Sequence, residues 1–226
     1  MKTRKRIGIL GGISHESTIE YYDLIQKKYY ERTGGSYPEV VIFSLDFEKF
    51  TNFENTDKEQ YIRYIMEGIH SLESAGADFV IMAANSPHAV FDDVEKKSQI
   101  PVLSIVRATC EQALQQGLKT VLLLGIQFTM ESSFYQDVFR DHGISIVTPS
   151  RKERTEIDRI IFDELVLGIH KKESKEKLLT IISNYEVDGV ILGCTELPLV
   201  LNQEDITIPV LNTVEIHVET VLDLLL

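Results

Sequence analysis

The chain contains one pattern of segments twice. "DFVIMAANSPHAV" at 78–90 and "DGVILGCTELPLV" at 188–200 both begin with aspartate, continue through an apolar run and then become polar. "IPVLSIV" at 100–106 and "IPVLNTV" at 208–214 follow them in the same order. Buried parallel strands share a Val/Ile/Leu-rich composition, but that alone does not account for matching aspartates and an almost identical second pair. The sequence therefore predicts an internal duplication.

Within each half, short apolar runs alternate with longer amphipathic segments, which is typical of βαβ units. We predict an α/β fold of two similar Rossmann-like domains, each with a mainly parallel sheet flanked by helices, related by duplication about a pseudo-twofold. The first domain comprises residues 1–104 plus 212–226, and the second comprises 105–211.

The first strand and helix illustrate the pattern. "RIGILGG" predicts a strand followed by a turn, and the amphipathic segment after it predicts a helix. Ser17 or Thr18 is the expected N-cap of this helix, and Gly34 is the expected C-cap.

Composition narrows the range of partners. The sequence has 35 acidic against 23 basic residues, a net charge of −12, which disfavours a nucleic-acid partner. Its apolar runs fall short of the roughly 20 residues that span a bilayer, so we expect no membrane partner. "IGILGGI" is too short for a signal peptide, and Cys110 and Cys194 lie in unrelated contexts. We therefore expect a cytoplasmic protein without disulfides.

Two equivalent positions point to chemistry. Ala84 in the first copy aligns with Cys194 in the second, and both lie where a predicted strand ends. Ligands of open α/β sheets bind at the carboxyl ends of the strands. Two such domains facing each other would place these positions on opposite sides of one ligand, with the active site in the cleft between them. Racemisation needs a proton acceptor on one face of a carbon and a donor on the other.

Three motifs carry a family resemblance. "GILGGISHEST", "NSPH" and "GCTELP" together resemble the aspartate/glutamate racemase family, and the resemblance spans nearly the whole chain. It implies a PLP-independent, cofactor-independent homodimer that acts on the α-carbon of an aspartate-like amino acid. In that family one cysteine thiolate removes the α-proton, and a second thiol delivers a proton to the opposite face.

The sequence departs from this pattern at Ala84, where the family has its first cysteine. Cys194 remains as the single thiol acid/base, and at an ordinary pKa of about 8.5 it needs activation to act as a base. Backbone amides at the start of a following helix are the expected source of activation. Two alternatives stay open: a single-cysteine decarboxylase of the arylmalonate type, and a catalytically silent homologue that binds a carboxylate.

The resemblance also implies substrate ligands. Short polar side chains at both strand ends would bind the α-carboxylate and α-amine, although such residues also serve as helix caps. The glycine turn after the first strand adds backbone groups, but it lacks the spacing of a dinucleotide motif. The candidate substrate-binding residues in these segments are Ile13, Ser14, Ala84, Asn85, Ser86, Thr195 and Glu196.

Two acidic residues bear on the substrate. Glu54 and Glu156 are also candidate substrate ligands, and Glu156 aligns where acid-specific family members tend to have lysine. A carboxylate beside an acidic substrate is unfavourable, so a neutral or cationic side chain is an alternative to aspartate. The nearby cations that would restore an acidic preference are Arg63, Arg151, Lys152 and Arg154. The spacing of His15, His88 and His217 matches no zinc site, so we expect no metal.

Overall fold

The computed structural model describes residues 5–226, and within them the chain forms two compact units. Unit 1 consists of residues 5–104 and 217–226, and unit 2 of residues 105–216. Unit 1 contains β1 (Ile7–Gly11), α1 (His15–Thr33), β2 (Val40–Ser44), α2 (Phe47–Thr56), α3 (Lys58–Ser74), β3 (Phe79–Met82), α4 (Phe91–Lys97) and β4 (Val102–Leu103).

Unit 2 contains α5 (Ile105–Gln115), β5 (Thr120–Leu124), α6 (Gln127–Glu131), α7 (Phe134–Asp141), β6 (Ser145–Val147), α8 (Arg151–Asp163), α9 (Lys172–Ser183), β7 (Gly189–Leu192) and β8 (Val210–Asn212). The last helix, α10 (Thr213–Leu225), begins in unit 2 and ends in unit 1. None of the helices in residues 5–226 combines the length and apolar character needed to cross a membrane.

The two sheets have the same topology. Both are parallel and four-stranded, with the orders β2-β1-β3-β4 and β6-β5-β7-β8. The predicted α/β class with two similar domains is confirmed. In each unit the two central strands pair with each other, β1 with β3 and β5 with β7. The repeated turns follow β3 and β7 and begin at Ala83 and Gly193.

Local sequence accounts for the first helix, with one correction. Gly34 is the C-cap, with the left-handed φ of 69° that glycine tolerates. The N-cap is Ser14, whose side chain accepts a hydrogen bond from the backbone of Ser17, so the expected cap at Ser17 or Thr18 was wrong. Thr18 instead turns its hydroxyl back, donating to the Ser14 carbonyl at 2.8 Å and accepting from Gly12 N at 3.0 Å.

The repeated "IPVL" segments form shorter strands than the sequence suggests. β4 has two residues and β8 has three, because a helix follows each at once. In unit 2, alternate strand residues pack to opposite faces of the sheet, as expected where helices cover both sides. One face packs on α8 and α9, and the other on α5 and α7.

Candidate functional site

The carboxyl end of β7 carries the only cysteine of the repeated turns. Gly193 N donates to the Leu124 carbonyl of β5 at 2.7 Å, and Cys194 follows immediately. A side chain on Gly193 would have its Cβ 2.8 Å from that carbonyl, so only glycine fits this close approach. The turn thus leaves the strand at a defined point, and Cys194 is 9% exposed.

Unit 1 repeats this geometry with a different residue. Ala83 N donates to the Leu10 carbonyl of β1 at 2.9 Å, and Ala84 follows as Cys194 does in unit 2. Ala84 is also 9% exposed, and it belongs to an apolar cluster that includes Tyr61. The two positions aligned in the sequence therefore have equivalent places in their units, and only one of them carries an acid/base group.

The Cys194 thiol is bonded to an acidic neighbour. Its Sγ donates to Glu196 Oε2 at 2.9 Å, and the Thr195 hydroxyl donates to the same oxygen at 2.7 Å. Burial, followed by the charge and hydrogen bond of Glu196, raises the pKa of Cys194 well above its usual value. The backbone amides of Thr195 and Glu196 act in the opposite direction with smaller effect. The expected activation by backbone amides is therefore outweighed, and the thiol is held protonated.

Glu54 lies at the matching strand end of unit 1. It is partly buried on α2, and Tyr61 of α3 donates to its Oε1 at 2.8 Å. The side chain of Ser86, two residues after Ala84, also interacts with Glu54 and Tyr61. Burial outweighs these hydrogen bonds and raises the pKa of Glu54. Two predicted ligands, Glu54 and Ser86, are thus both in contact with Tyr61. The sequence analysis did not identify Tyr61, because in the sequence it looks like one more residue of an apolar helix face.

Glu156 has a different environment from the one expected. Both of its oxygens are bound: Arg159 donates to them at 3.0 and 3.3 Å, and Lys177 donates to Oε1 at 2.6 Å. These two cations lower the pKa of Glu156 to about 2. Its charge is compensated by α8 and α9, so Glu156 acts as a link between two helices in this structure.

Three of the four candidate cations are exposed, and the fourth is partly buried. Arg151, Lys152 and Arg63 are exposed, and Arg63 lines an open pocket of about 620 Å³ with Lys97. Arg154 is partly buried, donates to the Pro149 carbonyl at 2.9 Å and lies 3.4 Å from Glu131 Oε1.

In unit 1, His88 contacts the backbone of the turn that follows β3. His88 Nδ1 lies 3.1 Å from the Ala84 carbonyl and 3.3 Å from that of Asn85, and its ring stacks on Phe91. Asn85 and Ser86 are buried at the start of the short 3₁₀ turn that follows. The histidine therefore orients the backbone of this turn.

The glycine turn after β1 is similarly constrained. Gly12 has φ of 83°, and a Cβ there would lie 2.3 Å from the Leu45 carbonyl. Ile13 is buried in the core of unit 1, and Ser14 uses its hydroxyl as the cap of α1.

The second cysteine, Cys110, has the environment of a core residue. Cys110 is buried in the core of unit 2, and burial raises its pKa to about 11, as suits an inert core thiol. Within residues 5–226, no three His, Cys, Asp or Glu side chains are grouped so as to hold a metal ion.

Comparison with known proteins identifies the family. Residues 10–221 match the Asp/Glu/hydantoin racemase family. The broad specificity amino-acid racemase RacX of Bacillus subtilis (strain 168) is 25% identical over 218 residues, covering 92% of each chain.

Solved structures of similar proteins point to the same family. An aspartate racemase homologue from Pyrococcus horikoshii OT3 is 38% identical with a TM-score of 0.85, over 97% of this chain and 98% of that one. A Yersinia pestis protein described as a candidate Asp/Glu racemase is 34% identical with a TM-score of 0.91, over the same shares. These relatives support the isomerase class and confirm the resemblance seen in the motifs. The chain belongs to the Asp/Glu/hydantoin racemase family.

Proposed function

We propose that this chain is a cofactor-independent isomerase that exchanges the hydrogen on the α-carbon of an amino acid, with Cys194 as its proton carrier. The observation that carries the proposal is the hydrogen bond from the Cys194 thiol to Glu196 at the end of β7. This bond holds a transferable proton on a buried sulfur at the end of a strand. Cys110, by contrast, packs among apolar side chains in the core of unit 2.

The pairing of Cys194 with Glu196 explains how the thiol can lose and regain its proton. A protonated Cys194 delivers its proton to an α-carbanion and becomes a thiolate, and in the reverse direction the thiolate takes the α-proton. The substrate α-ammonium, paired with Glu196, would offset the negative charge that raises the pKa of Cys194. Substrate binding would thereby lower that pKa. Asn85, Ser86 and Thr195 are proposed as ligands of the α-carboxylate.

Ala84 makes the chemistry one-sided. Alanine transfers no proton, and one general acid/base group contributes about 10²- to 10⁴-fold to a rate. Its loss therefore raises the barrier by about 3–5 kcal/mol. We expect exchange from the enantiomer whose α-hydrogen faces Cys194 to be much faster than full racemisation.

The test is α-hydrogen exchange in D2O, followed by NMR for both enantiomers of a panel of amino acids, with wild type and Cys194→Ala. Exchange from one enantiomer, lost in Cys194→Ala, supports the proposal. Binding of amino acids without Cys194-dependent exchange would instead indicate a catalytically silent homologue.

A decarboxylase is the second candidate, and the raised pKa of Cys194 favours it. A disubstituted malonate would lose CO2, the electron pair would remain on the α-carbon, and the Cys194 thiol would protonate that carbon. Solvent would then reprotonate the thiolate. This reaction needs an acid and no base, which matches Ala84. CO2 release from arylmalonates that is lost in Cys194→Ala, without exchange of any amino acid, would select this candidate.

We also propose a homodimer. Apolar side chains of unit 1 are exposed on α1 and on the edge strand β2: Ile19 is 63% exposed, Tyr22 44% and Ile42 43%. Light scattering over a range of concentrations tests the mass, and Tyr22→Lys should lower it to that of a monomer if this face is the interface.

A further inference from the structure

Unit 1 carries a carboxyl group at the strand end that lacks a thiol. Glu54 lies on α2, and the side chain of Ser86, two residues after Ala84, interacts with it. Tyr61 of α3 donates to Glu54 Oε1 at 2.8 Å, and Ser86 interacts with Tyr61 as well. These residues all belong to unit 1. Glu54 has no role in the Cys194 chemistry proposed above.

Packing between α2 and α3 fixes the position of this carboxyl group. Phe50 of α2 is 1% exposed, and its ring meets that of Tyr61 edge-on at a centroid distance of 5.1 Å. Glu54 follows Phe50 by four residues, so both lie on the same face of α2. The aromatic contact therefore holds the partly buried Glu54 against the Tyr61 hydroxyl.

The Glu54 carboxyl differs in its pKa from other hydrogen-bonded glutamates. Glu153 is likewise held by hydroxyl groups, those of Ser150 and Tyr185, but there the hydrogen bonds outweigh burial and lower the pKa. At Glu54, burial outweighs the hydrogen bonds and raises the pKa. The cation-paired glutamates whose pKa is lowered are Glu156, Glu164 and Glu219. A carboxylate with a raised pKa is a stronger base than an ordinary one, which suits proton transfer near neutral pH.

A substrate bound at the turn after β3 would meet this base. An amino acid whose α-carboxylate binds Ser86 has its α-carbon one bond beyond that carboxylate, close to the side chains that contact Ser86. Ala84 supplies no acid/base group there. Resting on the α-hydrogen exchange proposed above, we propose that Glu54 is a second proton carrier, which removes the α-hydrogen of an amino acid held at this turn and returns a proton to the same carbon.

The proton transfer needs only Glu54 and solvent. As the Cα–H bond breaks, its electron pair stays on the α-carbon, and the proton forms an O–H bond with the Glu54 carboxylate. In D2O the carboxyl proton exchanges with solvent. A deuteron then returns to the α-carbon as the O–D bond breaks, and the carboxylate is restored.

The test starts from Cys194→Ala, which removes the first proton carrier. We expect this variant to retain slow α-hydrogen exchange in D2O, measured by NMR for both enantiomers of alanine, leucine, lysine and glutamate. Adding Glu54→Gln should lower the residual rate about 10²-fold or more, since one general base contributes about 10²- to 10⁴-fold. Adding Glu48→Gln instead is the control, because it makes the same charge change at an exposed position in the first turn of the same helix.

A second substitution of Glu54 separates proton transfer from a structural role. Gln keeps an oxygen that accepts a hydrogen bond from Tyr61 but carries no acidic proton, whereas Asp keeps the carboxyl group on a side chain one methylene shorter. Proton transfer therefore predicts faster residual exchange with Glu54→Asp than with Glu54→Gln, and a purely structural acceptor predicts the reverse. Circular dichroism checks that the variants fold, and the Cys194→Ala measurement stands without them.

The outcomes distinguish this inference from the proposed function. If wild-type exchange is lost completely in Cys194→Ala, the Cys194 mechanism stands and the inference is overturned. The inference is also overturned if Glu54→Gln leaves the residual exchange unchanged, or if it retains as much exchange as Glu54→Asp. If exchange depends on Glu54 but not on Cys194, the inference stands and the Cys194 mechanism fails. If the wild type exchanges no amino acid, both fail.

Discussion

The thiol of Cys194 donates a 2.9 Å hydrogen bond to Oε2 of Glu196, two residues further along the same turn. Burial is the largest cause of the raised pKa of this thiol, and the Glu196 charge is the second. A carboxylate beside a thiol opposes thiolate formation, in contrast to the cationic or helix-dipole surroundings that activate many cysteines. Without a bound ligand, the Cys194 thiol therefore favours its protonated form.

Glu196→Gln should lower the pKa of Cys194, because the amide removes the negative charge but not the burial. Thiolate absorbance near 240 nm, titrated with pH in a Cys110→Ser background, measures this. Glu186→Gln is the control, since it makes the same change at an exposed site before the opposite end of β7. An unchanged titration would mean that burial alone sets the pKa of this thiol.

Ala84→Cys should add the missing proton-transfer group at the position equivalent to Cys194. We expect exchange from the second enantiomer to rise by about 10²-fold or more, with measurable racemisation by polarimetry. Ala84→Ser is the control, because its hydroxyl is of similar size and far less acidic than a thiol. Equal behaviour of the two variants would count against a proton-transfer role for position 84.

Gly12→Ala should destabilise the protein more than Gly143→Ala does. Both glycines have positive φ, 83° and 73°, so alanine meets a similar backbone penalty of about 1–2 kcal/mol at each. Only at Gly12 would the new Cβ lie 2.3 Å from the Leu45 carbonyl, whereas at Gly143 no described atom lies within 4 Å. Urea unfolding measures the difference, and equal losses would show that the turn after β1 relaxes freely.

His217 should make unfolding sensitive to acid. The side chain is fully buried, with Nδ1 3.0 Å from the Tyr21 hydroxyl and Nε2 3.2 Å from the Leu103 carbonyl. Burial and the neighbouring His88 lower its pKa from 6.5 to about 3. Between pH 6.5 and about 3, the unfolded chain binds a proton at His217 that the folded chain does not. The free energy of unfolding therefore falls as the pH drops below 6.5. The slope is at most about 1.4 kcal/mol per pH unit from this residue.

His217→Gln removes this titration. Its stability should be lower than wild type at pH 7, because the buried contacts change, and should vary less between pH 6.5 and 3. Urea unfolding at several pH values measures both quantities. Parallel pH profiles for the two proteins would assign the acid sensitivity to other groups.

The sequence alone determined the layout of the fold and the chemically distinctive position. The two repeats predicted two α/β units because hydrophobic periodicity is a local property of the chain. The motifs around Ala84 and Cys194 indicated the family, and the aligned repeats showed that one of two equivalent positions lacks an acid/base group. Both conclusions depend on the order of residues, which the sequence states directly.

Only the tertiary structure decided how the acidic residues are used. Glu54 and Glu156 are alike in sequence, yet the first lies among hydroxyl groups and the second between two cations. The direction of the Cys194 pKa shift likewise depends on how deeply the turn is buried and on which Glu196 oxygen meets the thiol. Burial and charge distance arise from packing between segments far apart in the chain, so no local pattern encodes them.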